Sequence, residues 1–150
     1  MFRGQTRGMR IPAAQARERF LASPVARLAT ADASGVPHLV PVTFAGVTDE
    51  WDRLVFAVDH KPKTTTSLKR LRNIEENPQV SLLADEYDED WTHLWWVRAD
   101  GVALVLHETE ERRRPLEWLC DKYPQYREKV PAGPVVWVEV QTWRGWSFTP

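Results

Sequence analysis

Residues 54–84 read LVFAVDHKPKTTTSLKRLRNIEENPQVSLLA, and this stretch decides the fold. Leu54 to Val58 is an apolar, β-branched and aromatic run of strand length. A basic loop, His60-Lys61-Pro62-Lys63, follows it. From Thr64 to Glu76, Leu68, Leu71 and Ile74 recur three apart and give a helix an apolar stripe. Asn77-Pro78 stops that helix, because proline drives the residue before it out of the α region. Gln79 to Ala84 is the next strand. Lys61, Lys63, Lys69, Arg70 and Arg72 fall in this stretch with no acid between them. Positive charge and the Thr64-Thr65-Thr66 hydroxyls at a helix start, where free amides also point outward, suit a bound anion such as a phosphate. A solvated basic helix face that balances an acidic loop is the other reading of the same charges.

Upstream, Pro12 to Ala22 is expected as a short helix, with Pro12 near its first turn. Val25 to Thr30 and Val36 to Ala45 form a hairpin about Asp32-Ala33-Ser34-Gly35. Pro37 and Pro41 make the second of these an edge or bulged strand, since proline cannot donate to a ladder. Such an edge can meet a ligand. Trp51 to Val58 is the third strand. Downstream, Asp85 to Asp90 holds five acids in six residues and reads as a solvated loop. Thr92 to Val97 and Val102 to Leu106 are strand-like around Ala99-Asp100-Gly101. Thr109 to Lys122 is a charged helix that Pro115 starts late or kinks. Pro131-Ala132-Gly133-Pro134 breaks the chain, and Val135 to Gln141 and Gly145 to Phe148 close it. Sequential strands with short links favour an antiparallel barrel or meander.

The 150 residues suit one domain, and 21 acids nearly cancel 20 bases. Near-neutral charge argues against nucleic acid, and no long apolar stretch calls for a membrane. Cys120 is the only cysteine, so an intrachain disulfide is excluded and a reducing cytoplasm fits. It is expected buried and inert on its helix. His38, His60, His93 and His107 are scattered at no metal-ligand spacing, so no metal is expected. The chain has neither a GxGxxG nor a GxxxxGK[ST] motif. Trp91, Trp95, Trp96, Trp143 and Trp146 are core residues, or walls against a flat ring or a second subunit.

The helix, the hairpin VARLATADASGVPHLVPVTF, the strand LVFAVD and the block KPKTTTSLKRLRNIEENPQVSLLAD together resemble one family. So do WWVRADGVALVL and the ending WVEVQTWRGWSF. They are similar to the pyridoxamine-phosphate-oxidase-like flavin and deazaflavin oxidoreductases, and most to an actinobacterial branch described as F-420-dependent. The resemblance implies a mainly β fold: an antiparallel split β-barrel of six or seven strands with flanking α-helices, of FMN-binding type. It implies a homodimer with cofactor sites at the interface. It places the cofactor phosphate on Lys61, Lys63 and Thr64 and the ring along Val40, Pro41, Val42 and Thr43. Trp91 and Trp146 are candidates, by position, to close the ring pocket. FMN-using relatives carry an arginine and a lysine on the strand that here reads Leu39 to Phe44, with neither. That favours coenzyme F-420, with FMN the alternative. Lys69, Arg70 and Arg72 would then face the acidic tail of F-420. The implied activity is hydride transfer between reduced F-420 and a small planar or conjugated substrate. A non-catalytic haem-binding relative, with His60, His93 or His107 as axial ligand, is a further reading.

Overall fold

The computed structural model describes residues 8–46, 52–58 and 65–150, the side chains of residues 65–68 excepted. Lys61, Lys63, Thr64, His60 and Trp51 lie outside the described residues. The strands are β1 (Met9–Arg10), β2 (Ala26–Ala31), β3 (Pro37–Val42), β4 (Ala45–Gly46), β5 (Arg53–Ala57), β6 (Gln79–Glu86), β7 (Trp95–Leu106) and β8 (Val135–Ser147). The helices are α1 (Ala13–Leu21), α2 (Thr65–Glu76), α3 (Thr109–Lys122) and α4 (Pro124–Glu128), with a 3-10 turn at Trp91–His93. Every pairing between these strands is antiparallel. The order is β3-β2-β6-β7-β8-β5-β4, with β1 also on β8.

The two ends of that path, β3 and β4, are neighbours in the chain. Only Thr43 and Phe44 separate them. The sheet therefore curls until its ends meet without pairing, and the seam lies at Thr43-Phe44. The expected strand from Val36 to Ala45 is broken at those two residues. Inside the curl, Phe20 of α1, Phe44, Phe56, Leu28, Leu54, Leu82, Val97, Val136 and Val138 are fully buried. A second, smaller cluster of Ala45, Val55, Leu119 and Val135 seals α3 onto the outside of β5 and β8.

The hairpin forms as expected. Gly35 takes φ +84°, and Asp32 Oδ1 accepts the amides of Ser34 and Val36. Asp32 N donates to Val36 O at 3.2 Å. Hydrogen-bonded and non-bonded pairs alternate in an antiparallel ladder. The pairs of His38, Val40 and Val42 are then the bonded ones, and Pro37, Leu39 and Pro41 turn their backbone groups to the free edge. The prolines thus lose no ladder bond, and β3 is the edge strand the sequence predicts. Its free edge presents three carbonyls and one amide, that of Leu39.

The stretch read as joined or kinked at Ala99-Asp100-Gly101 is one continuous strand, β7, and the two expected closing strands, Val135 to Gln141 and Gly145 to Phe148, are also one, β8. Asp100 pairs with Thr142 and Gly101 with Val140, so Gln141 is an extra residue, a β-bulge. Val136, Val138 and Val140 face the core before it, and Trp143 and Gly145 after it. The bulge inverts the two-residue period, and the inversion reads in sequence as a chain break. Helix α3 runs through Pro115, which is buried, instead of starting there. Asp85 and Glu86 end β6 instead of belonging to the acidic loop.

Candidate functional site

A cavity of about 260 Å³ opens at the seam. Pro41, Val42 and Thr43 come from the end of β3, and Ala57 and Val58 from the end of β5. Arg70 of α2, Tyr126 of α4 and Pro131 of the following loop complete the lining. Two of its walls come from the ends of β3 and of β5, which lie toward opposite sides of a sheet that does not close, so the gap follows from the topology. Val58 also leads directly into the basic loop, and α2 returns from it.

The α3–α4 corner holds the seam in place. Tyr123 OH lies 2.8 Å from Pro24 O and 2.9 Å from Phe44 O, and it accepts Phe44 N at 3.1 Å. Tyr126 OH and Thr43 Oγ1 lie 2.7 Å apart. Two tyrosines three residues apart thus grip the two linker residues. Burial holds the Tyr123 phenol above its ordinary range, so it stays a neutral donor. Lys122 Nζ donates to Leu21 O and Ser23 O at 3.3 and 2.7 Å, just past α1, and sits 3.7 Å over the Phe44 ring. Arg112 donates to Gly133 O and Pro131 O, which fixes the loop that carries the Pro131 wall.

Burial pushes the Lys122 ammonium down from 10.5 to about 8. Between those values the unfolded chain holds a proton that the native state has released, so stability from this group rises with pH. Melting temperatures taken from pH 8 toward pH 10 are expected to carry that upward term. Lys122→Met should remove it. An unchanged pH slope in the variant would show that Lys122 is not desolvated as the structure has it.

The structure gathers part of the expected site. Pro41, Val42 and Thr43 line the cavity, and Val40 lies one position further along β3, half-buried against the core. Trp91 sits on the 3-10 turn between β6 and β7, 39% exposed and not among the lining residues. Trp146 is half-buried on β8, edge-on to Phe148. Trp95 and Trp143 pack against the core. The basic cluster divides: Arg70 reaches the cavity, while Lys69 and Arg72 are exposed. Of the histidines, His38 is held below its ordinary range, by burial first and then by Arg70 and Lys69. His93 is not isolated: its Nδ1 lies 3.1 Å from Asp88, which raises its pKa. Cys120 is half-buried, with Sγ 3.5 Å from Tyr126 O. Tyr126 and Pro131 were not legible in the sequence. The pair of tyrosines in KYPQYRE is the one local hint.

A curled antiparallel sheet with a cleft at its unpaired seam defines a split barrel. The profile of the pyridoxamine 5'-phosphate oxidase family matches residues 13–147, and the chain belongs to that family. A search of curated proteins finds no match. Among solved structures, a conserved hypothetical protein from Mycobacterium tuberculosis is 21% identical at TM-score 0.71, covering 92% of this chain and 86% of its own. An FAD-binding protein from Mesorhizobium loti is 18% identical at TM-score 0.70, covering 93% and 96%. The haem storage protein of Vibrio cholerae is 17% identical at TM-score 0.65, covering 87% and 89%. Such likenesses establish the fold. Among the described residues no helix is long and apolar enough to cross a membrane.

Proposed function

We propose that the seam cavity binds the ring of coenzyme F-420 and that the protein is an oxidoreductase. It would pass a hydride between the reduced cofactor and a small planar or conjugated substrate. The observation that carries this reading is the cavity itself. Pro41, Val42, Ala57 and Val58 wall the cavity with Arg70 beside them, and in the sequence Val58 is followed by the basic loop. A planar ring fits such walls, and its phosphate would reach Lys61, Lys63 and Thr64. When bound, the deazaflavin supplies the hydride chemistry, because carbon replaces the reactive ring nitrogen of flavin. The chain's part is to orient the ring along β3 and to exclude water with its apolar walls. Lys69, Arg70 and Arg72 would meet an acidic tail, and the strand from Leu39 to Phe44 lacks the arginine and lysine of FMN-using relatives.

The working unit is proposed to be a homodimer with the cofactor at the interface. The outer face of the sheet supports this. Leu83, Tyr87, Leu94, Trp95 and Trp96 line a mostly apolar hollow of about 370 Å³ there, and Leu39 is 68% exposed. FMN is the second reading, supported by the likeness to an FAD-binding protein.

Fluorescence titration of the purified protein with F-420 and FMN tests the proposal, with haem as a third arm. Binding of F-420 at roughly micromolar Kd or tighter is expected. No F-420 binding in that range would sink the assignment, and a yellow protein holding FMN would favour the second reading. Lys61→Ala/Lys63→Ala should weaken binding by about 1–3 kcal/mol per lost charged contact. Its melting temperature should barely move. Unchanged affinity in the double variant would place the phosphate elsewhere.

A further inference from the structure

Thr43 and Tyr126 both line the seam cavity, and their hydroxyl oxygens lie 2.7 Å apart. Two hydroxyls carry two hydrogens, and their mutual bond uses one. Among the described residues neither hydroxyl has another hydrogen-bond partner. One O–H is left over, on a pair whose residues line the cavity together with Pro41, Val42, Ala57, Val58, Pro131 and Arg70. A ligand that fills the cavity and displaces water from that O–H must accept from it, because a donor desolvated without a partner costs free energy. Two residues back in the chain, near the end of β3, the carbonyl of Pro41 points to the free edge of that strand. It is an acceptor, and proline adds no amide there. The seam therefore presents a donor on the linker and an acceptor at the end of β3, two residues apart in the chain.

We propose that the Thr43–Tyr126 pair is a specificity-determining donor of this cavity. It takes a ring carbonyl oxygen of a planar ligand whose edge alternates C=O and N–H, and the Pro41 carbonyl takes the neighbouring N–H. The inference rests on the cofactor reading above and deepens it. FMN and F-420 share that imide edge, so the pair recognises the feature they have in common and does not choose between them.

The test is the Kd of FMN and of F-420, by fluorescence, for the full-length protein and four variants. Thr43→Val is expected to weaken both cofactors roughly five- to tenfold. Thr43→Ser, which keeps the hydroxyl, should stay within about twofold of wild type. Tyr126→Phe keeps the ring and its packing but leaves Thr43 unoriented, and should weaken both cofactors by a smaller factor. The Thr43→Val/Tyr126→Phe double variant should be little worse than Thr43→Val, because the two hydroxyls act as one unit. A pair that only tied α4 to β3 would lower melting temperatures and leave Kd unchanged. Affinities within twofold of wild type in both Thr43→Val and Tyr126→Phe would overturn this inference alone. Wild-type protein that binds neither cofactor would instead overturn the reading beneath it.

Discussion

Gly101→Ala is expected to lower stability by on the order of 3 kcal/mol, a fall of roughly 6–12 °C in melting temperature for a chain of this length. A Cβ at Gly101 would sit 2.2 Å from Glu139 O, 2.9 Å from Glu139 C and 3.0 Å from Val140 Cα. These are backbone atoms and no rotamer change can move them aside. They also belong to the bulge in β8, whose register is fixed on both sides by β7. Relief would require the two longest strands to separate at their middle. Overpacking usually costs about 1–3 kcal/mol, where side chains can give way; here nothing can, so the upper end applies. Gly35→Ala is the contrast. Gly35 has φ +84° with open space around its Cβ direction, so only backbone strain opposes alanine, on the order of 1 kcal/mol. Thermal melts of the two variants side by side decide the matter. A Gly101→Ala protein that melts within about 2 °C of wild type would mean that the strands do not approach as described.

Phe44→Ala is expected to cost about 3–5 kcal/mol. The ring is fully buried, 4.8 Å from the ring of Phe20, with Lys122 Nζ 3.7 Å above it. Removing it opens a hole at the seam and takes from Lys122 the aromatic face over which its charge rests. Phe44 N and O remain with Tyr123, so the linker backbone is still gripped and cannot easily collapse into the space. Phe44→Leu should recover more than half of the loss, because most of the volume returns. Urea denaturation measures both. A Phe44→Ala loss below about 1 kcal/mol would contradict the packing described here.

What the sequence made legible follows from the range over which its signals act. The stripe of Leu68, Leu71 and Ile74 and the stop at Asn77-Pro78 are local, and α2 ends where they place it. The edge position of β3 was legible from Pro37 and Pro41, because a missing amide limits where a strand can sit. The break at Thr43-Phe44 was not, since Val42-Thr43-Phe44-Ala45 continues a strand-like pattern and holds no turn residue. The interruption is set by the curl of the whole sheet. The continuity of β8 was hidden because the bulge reverses its alternation. The cavity was half legible. Its β3 wall lay in the expected stretch, but Tyr126 reaches Thr43 across 83 residues of chain. Arg70 could not be told from Lys69 and Arg72 by charge, since only its place on the helix turns it toward the cavity.

The position of β8 in the sheet bears on the order in which the protein is made. β1, β5 and β7 all pair with it, and it follows all three in the sequence. During synthesis the early strand β5 has only the two-residue β4 beside it until β8 leaves the ribosome. The half of the barrel built from β2, β3, β6 and β7 can assemble first. The other half waits with Leu54, Val55 and Phe56 uncovered, an adhesive surface until β8 joins it. Ala57 and Val58 wait with it, so the seam takes its shape only after β8 has joined.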